Sequence, residues 1–305
     1  MANLLWKIKN KTKAIAETPF VSEEEFEKLV FETPEILENI FILKRQIRGS
    51  NKSGIPDMIG IDNDGNICII EMKNVEVNSN IIPQVLEYAF WAERNPDSIK
   101  SLWLERENKP DDLTISWDDF EIRILIMAPK ILQSTLDLVN KIDYAVDLIE
   151  VKRWVDNDNQ LLLVNKLEPE KEYKKTKPVS GHEEYNEEYY KKERNPISVK
   201  DFMKYTSALN KIIKDNNWQL EMKYNKHYCG YKNGFFNAFG IKWIGTKSFA
   251  FFIKITEDEA KKMNVKLTKY ETIWKEALYY IEPGNTKIED YFPLFEFAYK
   301  KLMGI

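Results

Sequence analysis

Hydrophobic residues recur along the first half of the chain with two different spacings, which separate predicted strands from predicted helices. Apolar runs at 58–61 and 67–70 flank the turn DNDGN at 62–66, and an Asp-Gly pair between such runs is a strong signal for a β-hairpin. The near-continuous apolar run at 121–127 is typical of a strand covered on both faces. Three more strands are predicted, the last of them at an edge of the sheet: residues 4–9, 41–47 and 147–154.

Amphipathic stretches between these runs predict helices. Ser22, with Glu25 three residues later, has the pattern of a helix N-cap with a capping box. Phe26, Leu29 and Val30 then follow at helical spacing. Two further helices are predicted, one from about residue 81 and one over residues 130–142. Helices on both faces of a mixed sheet follow from this order of elements, which is an α/β fold.

The apolar pattern changes twice in the second half of the chain. Residues 161–195 carry many charges of both signs and few aliphatic residues, so we predict a charged linker there. Residues 196–305 show an amphipathic helix and then aromatic-rich runs of strand length. This pattern predicts a separate α+β domain, with an antiparallel sheet packed by helices on one side. The first domain would accordingly occupy residues 1–160.

Composition excludes several kinds of protein. The chain has 305 residues, of which 43% are hydrophobic, and this is enough for two cores. A net charge of −4 gives no overall basic field. Two cysteines and two histidines are too few for a disulfide framework or a four-ligand zinc site. No apolar run approaches the roughly 18 residues of a membrane span, so we expect a cytoplasmic, reduced protein without a membrane partner.

The predicted hairpin carries a grouping of charges with a chemical use. Side chains alternate along a strand, so Glu71 and Lys73 lie on one face, and Asp57 opens the neighbouring strand beside Glu71. Two carboxylates can hold Mg²⁺, which activates water and neutralises charge on a phosphate. A lysine two residues further on could orient the water or stabilise the phosphate. The alternative is a solvated hairpin edge, where the same residue types are common.

The surrounding residues resemble a known family. Asp57 follows Pro56, and Glu71-Met72-Lys73 comes fourteen positions later, which resembles the signature of PD-(D/E)XK nucleases. The wider stretch, about residues 1–155, is similar to the NucS/EndoMS-like branch of that superfamily. The matching parts are the acidic helix start at 23–26, Thr33-Pro34-Glu35-Ile36-Leu37, Gly54-Ile55-Pro56-Asp57, the Glu71 segment, and Gln84-Val85-Leu86-Glu87-Tyr88. The second half weakly resembles an uncharacterised small α+β domain found after such nucleases.

This resemblance implies a restriction-endonuclease-like core, a mixed sheet flanked by helices, that hydrolyses DNA phosphodiester bonds with Mg²⁺ or Mn²⁺. Asp57 and Glu71 would hold the metal, and Lys73 would assist the attacking water. An upstream glutamate would join the metal shell; Glu23 is our candidate, with Glu27 one turn on as the alternate. Gln84 would lie against the site. For Tyr88, which shares a helix face with Gln84 and Trp91, a place in the core and a place at the site remain open.

Partners and biological role are less constrained. Residues 196–305 contain 18 Lys against 12 Asp and Glu, and Lys226, Lys232 and Lys242 stand beside aromatic residues, so this domain is predicted to bind DNA or a partner. Alternatively, the aromatic residues form a core. Arg48 and Lys52 are either phosphate contacts or part of a solvated loop. A homodimer, an activating partner, a catalytically silent binding module, and roles in DNA repair or phage defence are all compatible with the sequence.

Overall fold

The computed structural model describes residues 3–8, 11–45, 56–111, 113–167 and 185–305. Its contacts divide the chain into two compact units. The first unit contains Met1–Glu107 and Ile115–Gly181, and the second contains Asn108–Thr114 and His182–Ile305. Each unit has its own six-stranded sheet.

The first unit combines helices with strands in the predicted order, and also contains elements that the sequence did not predict. Its strands are β1 (Asn3–Ile8), β2 (Lys11–Ala16), β3 (Ile40–Arg45), β4 (Met58–Asp62), β5 (Ile67–Met72), β6 (Ile122–Ala128), β7 (Ala145–Asp156) and β8 (Asn159–Leu167). Its helices are α1 (Glu23–Glu32), α2 (Ile81–Arg94), α3 (Pro96–Leu104) and α4 (Gln133–Val139). The unpredicted elements are β2, α3 and β8.

The large sheet of this unit is mixed, with helices packed against it. The strand order is β3-β4-β5-β6-β7-β8. Strands β3, β4 and β5 pair antiparallel, β5, β6 and β7 pair parallel, and β8 returns antiparallel to β7. Every residue of β4 and β5 is buried, as expected for central strands covered on both faces. β1 and β2 form a separate two-stranded sheet.

The edge of the sheet lies one strand further along than predicted. We expected β7 at the edge and a linker from residue 161, but β7 is paired on both sides and residues 159–167 form the edge strand β8. Asn157 makes the connecting turn with φ 55°, a left-handed conformation that Asn tolerates better than most residues. The mixed Leu and polar composition of residues 159–167 therefore reflects a half-exposed edge strand.

A buried acid fixes the β4–β5 turn. Asp62 is 2% exposed, and its Oδ1 accepts hydrogen bonds from the backbone N–H groups of Asp64 (3.0 Å) and Asn66 (2.9 Å). The guanidinium of Arg123 on β6 donates to its Oδ2 at 3.3 Å. Gly65 has φ 85°, as the predicted Asp-Gly turn requires. The hairpin is thus stabilised at its turn by the hydrogen bonds of the Asp62 side chain, in addition to the pairing of β4 with β5.

Arg123 also joins β6 to β7. Its Nε donates to Asp147 Oδ2 at 2.8 Å, and Lys166 of β8 lies 2.5 Å from the other oxygen of Asp147. Burial raises the pKa of the Asp147 carboxyl, but the charges of Arg123 and Lys166 outweigh this and lower that pKa to about 2. The end of the sheet that carries the hairpin turn is therefore locked by ion pairs.

The second unit is an antiparallel sheet with two long helices on one face. Its strands are β9 (Glu221–Tyr224), β10 (Tyr228–Asn233), β11 (Phe236–Trp243), β12 (Phe249–Ile253), β13 (Lys269–Glu271) and β14 (Glu276–Tyr280), in the order β13-β14-β12-β11-β10-β9. Its helices are α5 (Glu187–Glu193), α6 (Pro196–Asp215), α7 (Glu257–Lys262) and α8 (Phe292–Met303). Only β13 was not predicted as a strand here, but α5 lies within the predicted linker at 161–195, and its Tyr190 is buried in the core of this unit.

Aromatic side chains fill the space between this sheet and helices α6 and α8. Phe202 of α6 stacks on Trp243 with ring centroids 4.5 Å apart, and Phe295 of α8 packs against Phe239 and Phe251. All of these except Trp243, which is 4% exposed, are fully buried. The aromatic-rich strands of the sequence are thus one side of a core.

Candidate active site

The hairpin brings Asp57 and Glu71 together as predicted. Met58 pairs with Ile70 across β4 and β5, so Asp57 directly precedes β4 beside Glu71 near the end of β5. Asp57 Oδ2 accepts a hydrogen bond from the backbone N–H of Met72 at 2.8 Å. The carboxylate of Asp57 is therefore fixed to the strand that carries Glu71.

Glu71 is nearly inaccessible to solvent, with 1% of its surface exposed. Its Oε1 accepts hydrogen bonds from Lys73 Nζ at 2.7 Å and from Gln84 Nε2 at 2.6 Å. Its Oε2 is buried without a hydrogen-bond donor, and the carboxyl of Asp57 lies close enough to interact with the carboxyl of Glu71 when one of the two is protonated. A buried carboxylate oxygen without a partner is costly, which makes this atom the strongest indication of a ligand at the site.

The two carboxylates destabilise each other's ionised form. Burial raises the pKa of Glu71 to about 7, and the nearby charge of Asp57 contributes to that rise. Burial likewise raises the pKa of Asp57. When both groups are ionised, the site carries two negative charges in a poorly solvated place. A cation there would remove this repulsion.

Lys73 is held as an ammonium. Burial by itself would lower the pKa of Lys73, but the hydrogen bond and charge of Glu71, with the charge of Glu23, raise it overall. Glu23 Oε1 lies 3.6 Å from Lys73 Nζ. A protonated lysine cannot accept a proton, so Lys73 is suited to donating hydrogen bonds and stabilising negative charge.

The acidic start of α1 sends its glutamates in different directions. Glu23 faces Lys73, whereas Glu27 lies 2.6 Å from Arg45 Nε on β3. Glu25 binds Arg153 of β7 at 2.7 Å and accepts from the N–H of Val21 at 2.6 Å. Among Glu23 and its alternate Glu27, only Glu23 reaches the Asp57–Glu71 pair, through Lys73.

Among the described residues, the strand pairing brings two carboxylates side by side, those of Asp57 and Glu71. Within the described residues, no group of three or more His, Cys, Asp or Glu side chains is placed to hold a metal ion. Glu23, with a side chain 51% exposed, therefore contacts the site in this structure without completing a three-carboxylate cluster. The capping of helix α1 differs slightly from the predicted capping box. The side chain of Ser22 accepts a hydrogen bond from the Glu25 N–H, as predicted, but the Glu25 carboxylate accepts from the backbone N–H of Val21 and not from that of Ser22.

Gln84 and Tyr88 extend the site along α2. Gln84 Nε2 donates to Glu71 Oε1 and to the Tyr88 hydroxyl, both at 2.6 Å. Tyr88 is 5% exposed, and burial raises its pKa. Tyr88 thus belongs both to the core and to the hydrogen-bond network of the site, while Trp91, on the same helix face, is only half-buried.

Arg153 is a supporting residue that sequence reasoning missed. Its Nη2 donates to the carbonyl of Pro19 at 2.9 Å, and its guanidinium lies 4.6 Å from the ring centroid of Phe20. With its bond to Glu25, it fixes the chain at the start of α1 and hence the position of Glu23. An arginine between Val151 and Trp154 in an apolar strand was the available signal.

The predicted nucleic-acid surface of the second unit needs correction. Lys242 is 4% exposed and lies 2.9 Å from Glu276, while Tyr231 and Trp243 are buried in the core with the helices. Strand alternation places these aromatic residues inside, so the stretches Tyr231-Lys232 and Lys242-Trp243 cannot stack on bases as predicted. The other candidate phosphate contacts, Arg48 and Lys52, lie outside the described residues.

The first unit combines a mixed sheet with a buried pair of carboxylates beside a lysine. The curated proteins that the chain resembles are named endonucleases. The chain is 28% identical to Endonuclease NucS of Pyrococcus horikoshii over 143 residues, which is 46% of each protein. It is 27% identical to Endonuclease NucS of Pyrococcus abyssi over 123 residues, 39% of each. These matches relate the chain to NucS-like nucleases, as the signature residues predicted, and the chain spans less than half the length of these relatives.

Other comparisons add less. No family model matches the chain. The structure of an EndoMS–dsDNA complex aligns with 49% of this chain and 64% of that chain, at 18% identity and a TM-score of 0.30. In the part of the chain that the structure describes, no helix is long and apolar enough to span a membrane.

Proposed function

We propose that the chain is a metal-dependent endonuclease that hydrolyses phosphodiester bonds of DNA, with a restriction-endonuclease-like core in its first unit. One observation carries this proposal: the buried Oε2 of Glu71 has no hydrogen-bond partner and stands beside a second carboxylate, Asp57. The similarity to proteins named Endonuclease NucS supports the reaction class.

The residues present fit a divalent cation. Carboxylate oxygens are the ligands that Mg²⁺ and Mn²⁺ take, and Mg²⁺ is usually bound by one or two carboxylates, with waters and phosphate oxygens completing its shell. Asp57 and Glu71 would hold the ion. When bound, such an ion lowers the pKa of a water and neutralises charge on the phosphate. The two carboxylates of the site are therefore sufficient, in number and in type of ligand, to bind one divalent cation.

The chain's own side chains position the reaction. Gln84 and Lys73 both donate to Oε1 of Glu71, which leaves Oε2 for the cation. The Met72 N–H holds Asp57 in the same way. Lys73, as an ammonium, would donate a hydrogen bond to the attacking water or to a phosphate oxygen. Glu23 would restrain Lys73 from the solvent side.

The second unit would bind DNA or a partner protein, and the whole chain would act in DNA repair or in defence against foreign DNA. The relatives' names support a nuclease. Homodimerisation or an activating partner would be ways to control the cleavage.

Cleavage and metal binding together test the proposal. The full chain is incubated with Mg²⁺ or Mn²⁺ and duplex, single-stranded, forked and mismatched DNAs. We expect Lys73→Ala to cut at least about 100-fold more slowly, while Lys100→Ala, an exposed lysine on α3, cuts like the wild type. Calorimetric titration with Mn²⁺ should give binding heat with the wild type and none with Glu71→Gln. Equal cleavage by Lys73→Ala, or equal heats, would show that this site is not the nuclease centre.

A further inference from the structure

A half-buried cation in the second unit, Arg194, forms no ion pair among the described residues. Arg194 lies between α5 and α6, where its Nη1 donates to the carbonyl of Gly245 at 3.3 Å and its Nη2 to His227 Nδ1 at 2.7 Å. Its guanidinium faces the ring of Trp243 at 5.7 Å from the centroid. These partners are uncharged, since an imidazole nitrogen that accepts from arginine carries no proton.

The guanidinium is left with unused binding capacity. Arg194 Nε is buried without a hydrogen-bond partner, and no carboxylate of the described residues forms an ion pair with Arg194. Burial lowers the pKa of Arg194, and the charge of Glu193 acts in the opposite direction. Because arginine stays protonated in proteins and buried charges are normally paired, an anion from outside the unit would complete this environment.

Two further cations lie at the same end of the sheet. Lys226 is in the turn between β9 and β10, and Lys247 is in the turn between β11 and β12. Strand pairing of β10 with β11 and of β11 with β12 brings both turns to one end. Neither lysine forms an ion pair in the described chain. Neighbouring strands are about 4.8 Å apart, so the turns are separated by roughly 10 Å.

We propose that Arg194, Lys226 and Lys247 form a binding site for the phosphodiester backbone of nucleic acid. A single phosphate could not reach two turns roughly 10 Å apart, whereas duplex DNA carries one charge per about 1.7 Å of its axis. The planar guanidinium, held by Gly245 and His227, matches phosphate oxygens in geometry. This inference rests on the proposed function, because it assigns the second unit a direct part in holding the DNA substrate.

Salt dependence of DNA binding tests the site. Binding of labelled duplex DNA to the full chain is measured in the presence of chelator, from about 0.05 M to about 0.5 M salt. The wild type is compared with the double variant Lys226→Ala/Lys247→Ala. Losing two phosphate contacts should reduce the slope of log K against log salt by about 1.8, which amounts to roughly 30-fold weaker binding near 0.15 M salt. The matched control is Lys211→Ala/Lys214→Ala, exposed lysines on α6, about 24 Å or more along that helix from Asn195.

Arg194→Gln is a second variant, with circular dichroism to confirm folding because Arg194 also joins the hairpin turns. We expect it to weaken binding in the same way. An unchanged slope in the lysine variant, or an equal loss in the α6 control, would refute the site. Inorganic phosphate provides a further test. If it displaced DNA from the wild type at concentrations that do not change DNA binding by the α6 control variant, the site would be a small-anion site, and the proposed site for a phosphodiester backbone would be refuted.

The binding assay separates this inference from the proposed nuclease. Wild type that cuts DNA, together with a lysine variant that binds like wild type, would refute the phosphate site and leave the nuclease intact. Wild type that binds DNA through these lysines but never cuts would refute the nuclease and leave the phosphate site intact.

Discussion

Replacing Glu71 by glutamine should stabilise the metal-free protein at alkaline pH. The substitution keeps the shape of the side chain, and the new amide oxygen can still accept from Lys73 and Gln84, which both donate to Glu71 Oε1. It removes the charge that is buried beside Asp57 and paired with Lys73, and it places an amide NH₂ where Oε2 stood. The free energy of unfolding of the first unit is therefore expected to change with pH in the wild type and much less in the variant.

The expected magnitude comes from the pKa of Glu71. Its ordinary value of 4.5 is raised to about 7 in the folded protein, first by burial and then by Asp57. The folded state therefore binds the proton more tightly, so stability falls as pH rises between 4.5 and 7 and is flat above that range. At about 1.4 kcal/mol per pH unit, the loss is at most about 3–4 kcal/mol for a pKa raised from 4.5 to about 7, and glutamine should recover most of it at pH 8.

Urea denaturation at pH 5 and pH 8 in the presence of chelator measures this difference. Glu87→Gln, an exposed glutamate on α2, is the matched control and should follow the wild type at both pH values. If Glu71→Gln lost stability in parallel with the wild type between pH 5 and pH 8, the assignment of a destabilised, buried carboxylate charge to Glu71 would be wrong. Adding Mn²⁺ at pH 8 should stabilise the wild type and leave the variant unchanged.

Two further predictions concern the scaffold. Burial raises the pKa of Asp147, but Arg123 and Lys166 outweigh burial and lower it to about 2, so the stability that Asp147 contributes is present above pH 3.8 and is lost as pH falls towards 2. Asp147→Asn should therefore lower the free energy of unfolding by about 2 kcal/mol at pH 7, measured by urea denaturation, and should reduce the fall in stability at acid pH. An acid dependence of stability equal to that of the wild type would contradict the pairing. Gly240→Ala would place a Cβ 2.2 Å from the carbonyl of Cys229, so we expect a loss of about 1–3 kcal/mol, and a thermal midpoint equal to that of wild type would contradict it.

The hairpin site could be predicted because its geometry is local. A two-residue period, an Asp-Gly turn and a short loop are enough to place Asp57 beside Glu71 and to direct Lys73 to the same side. Sequence could not decide among the glutamates of α1 in the same way. That choice depends on distant partners, such as Arg153, which is 128 positions from Glu25, and Arg45, which takes Glu27.

The second unit shows a different limit of sequence reasoning. Lysines beside aromatic residues look like a nucleic-acid surface, yet seven of the eight residues of β11 are buried. A period of two identifies which residues share a face, but it does not reveal that both faces of a strand are covered. The edge strand β8 was missed for the opposite reason, because a strand with one exposed side resembles a linker in composition.

The pairing of β4 with β5 has a consequence for how the site changes in evolution. The carboxylates meet because Met58 stands opposite Ile70, and the turn after Asp62 helps to set this register, since Asp62 binds the backbone N–H groups of Asp64 and Asn66. A change in the length of the turn that shifted the register would therefore separate Asp57 from Glu71. One residue inserted into β5 itself would turn Glu71 to the opposite face. The persistence of the site thus requires that the strand register be kept, in addition to the two acids.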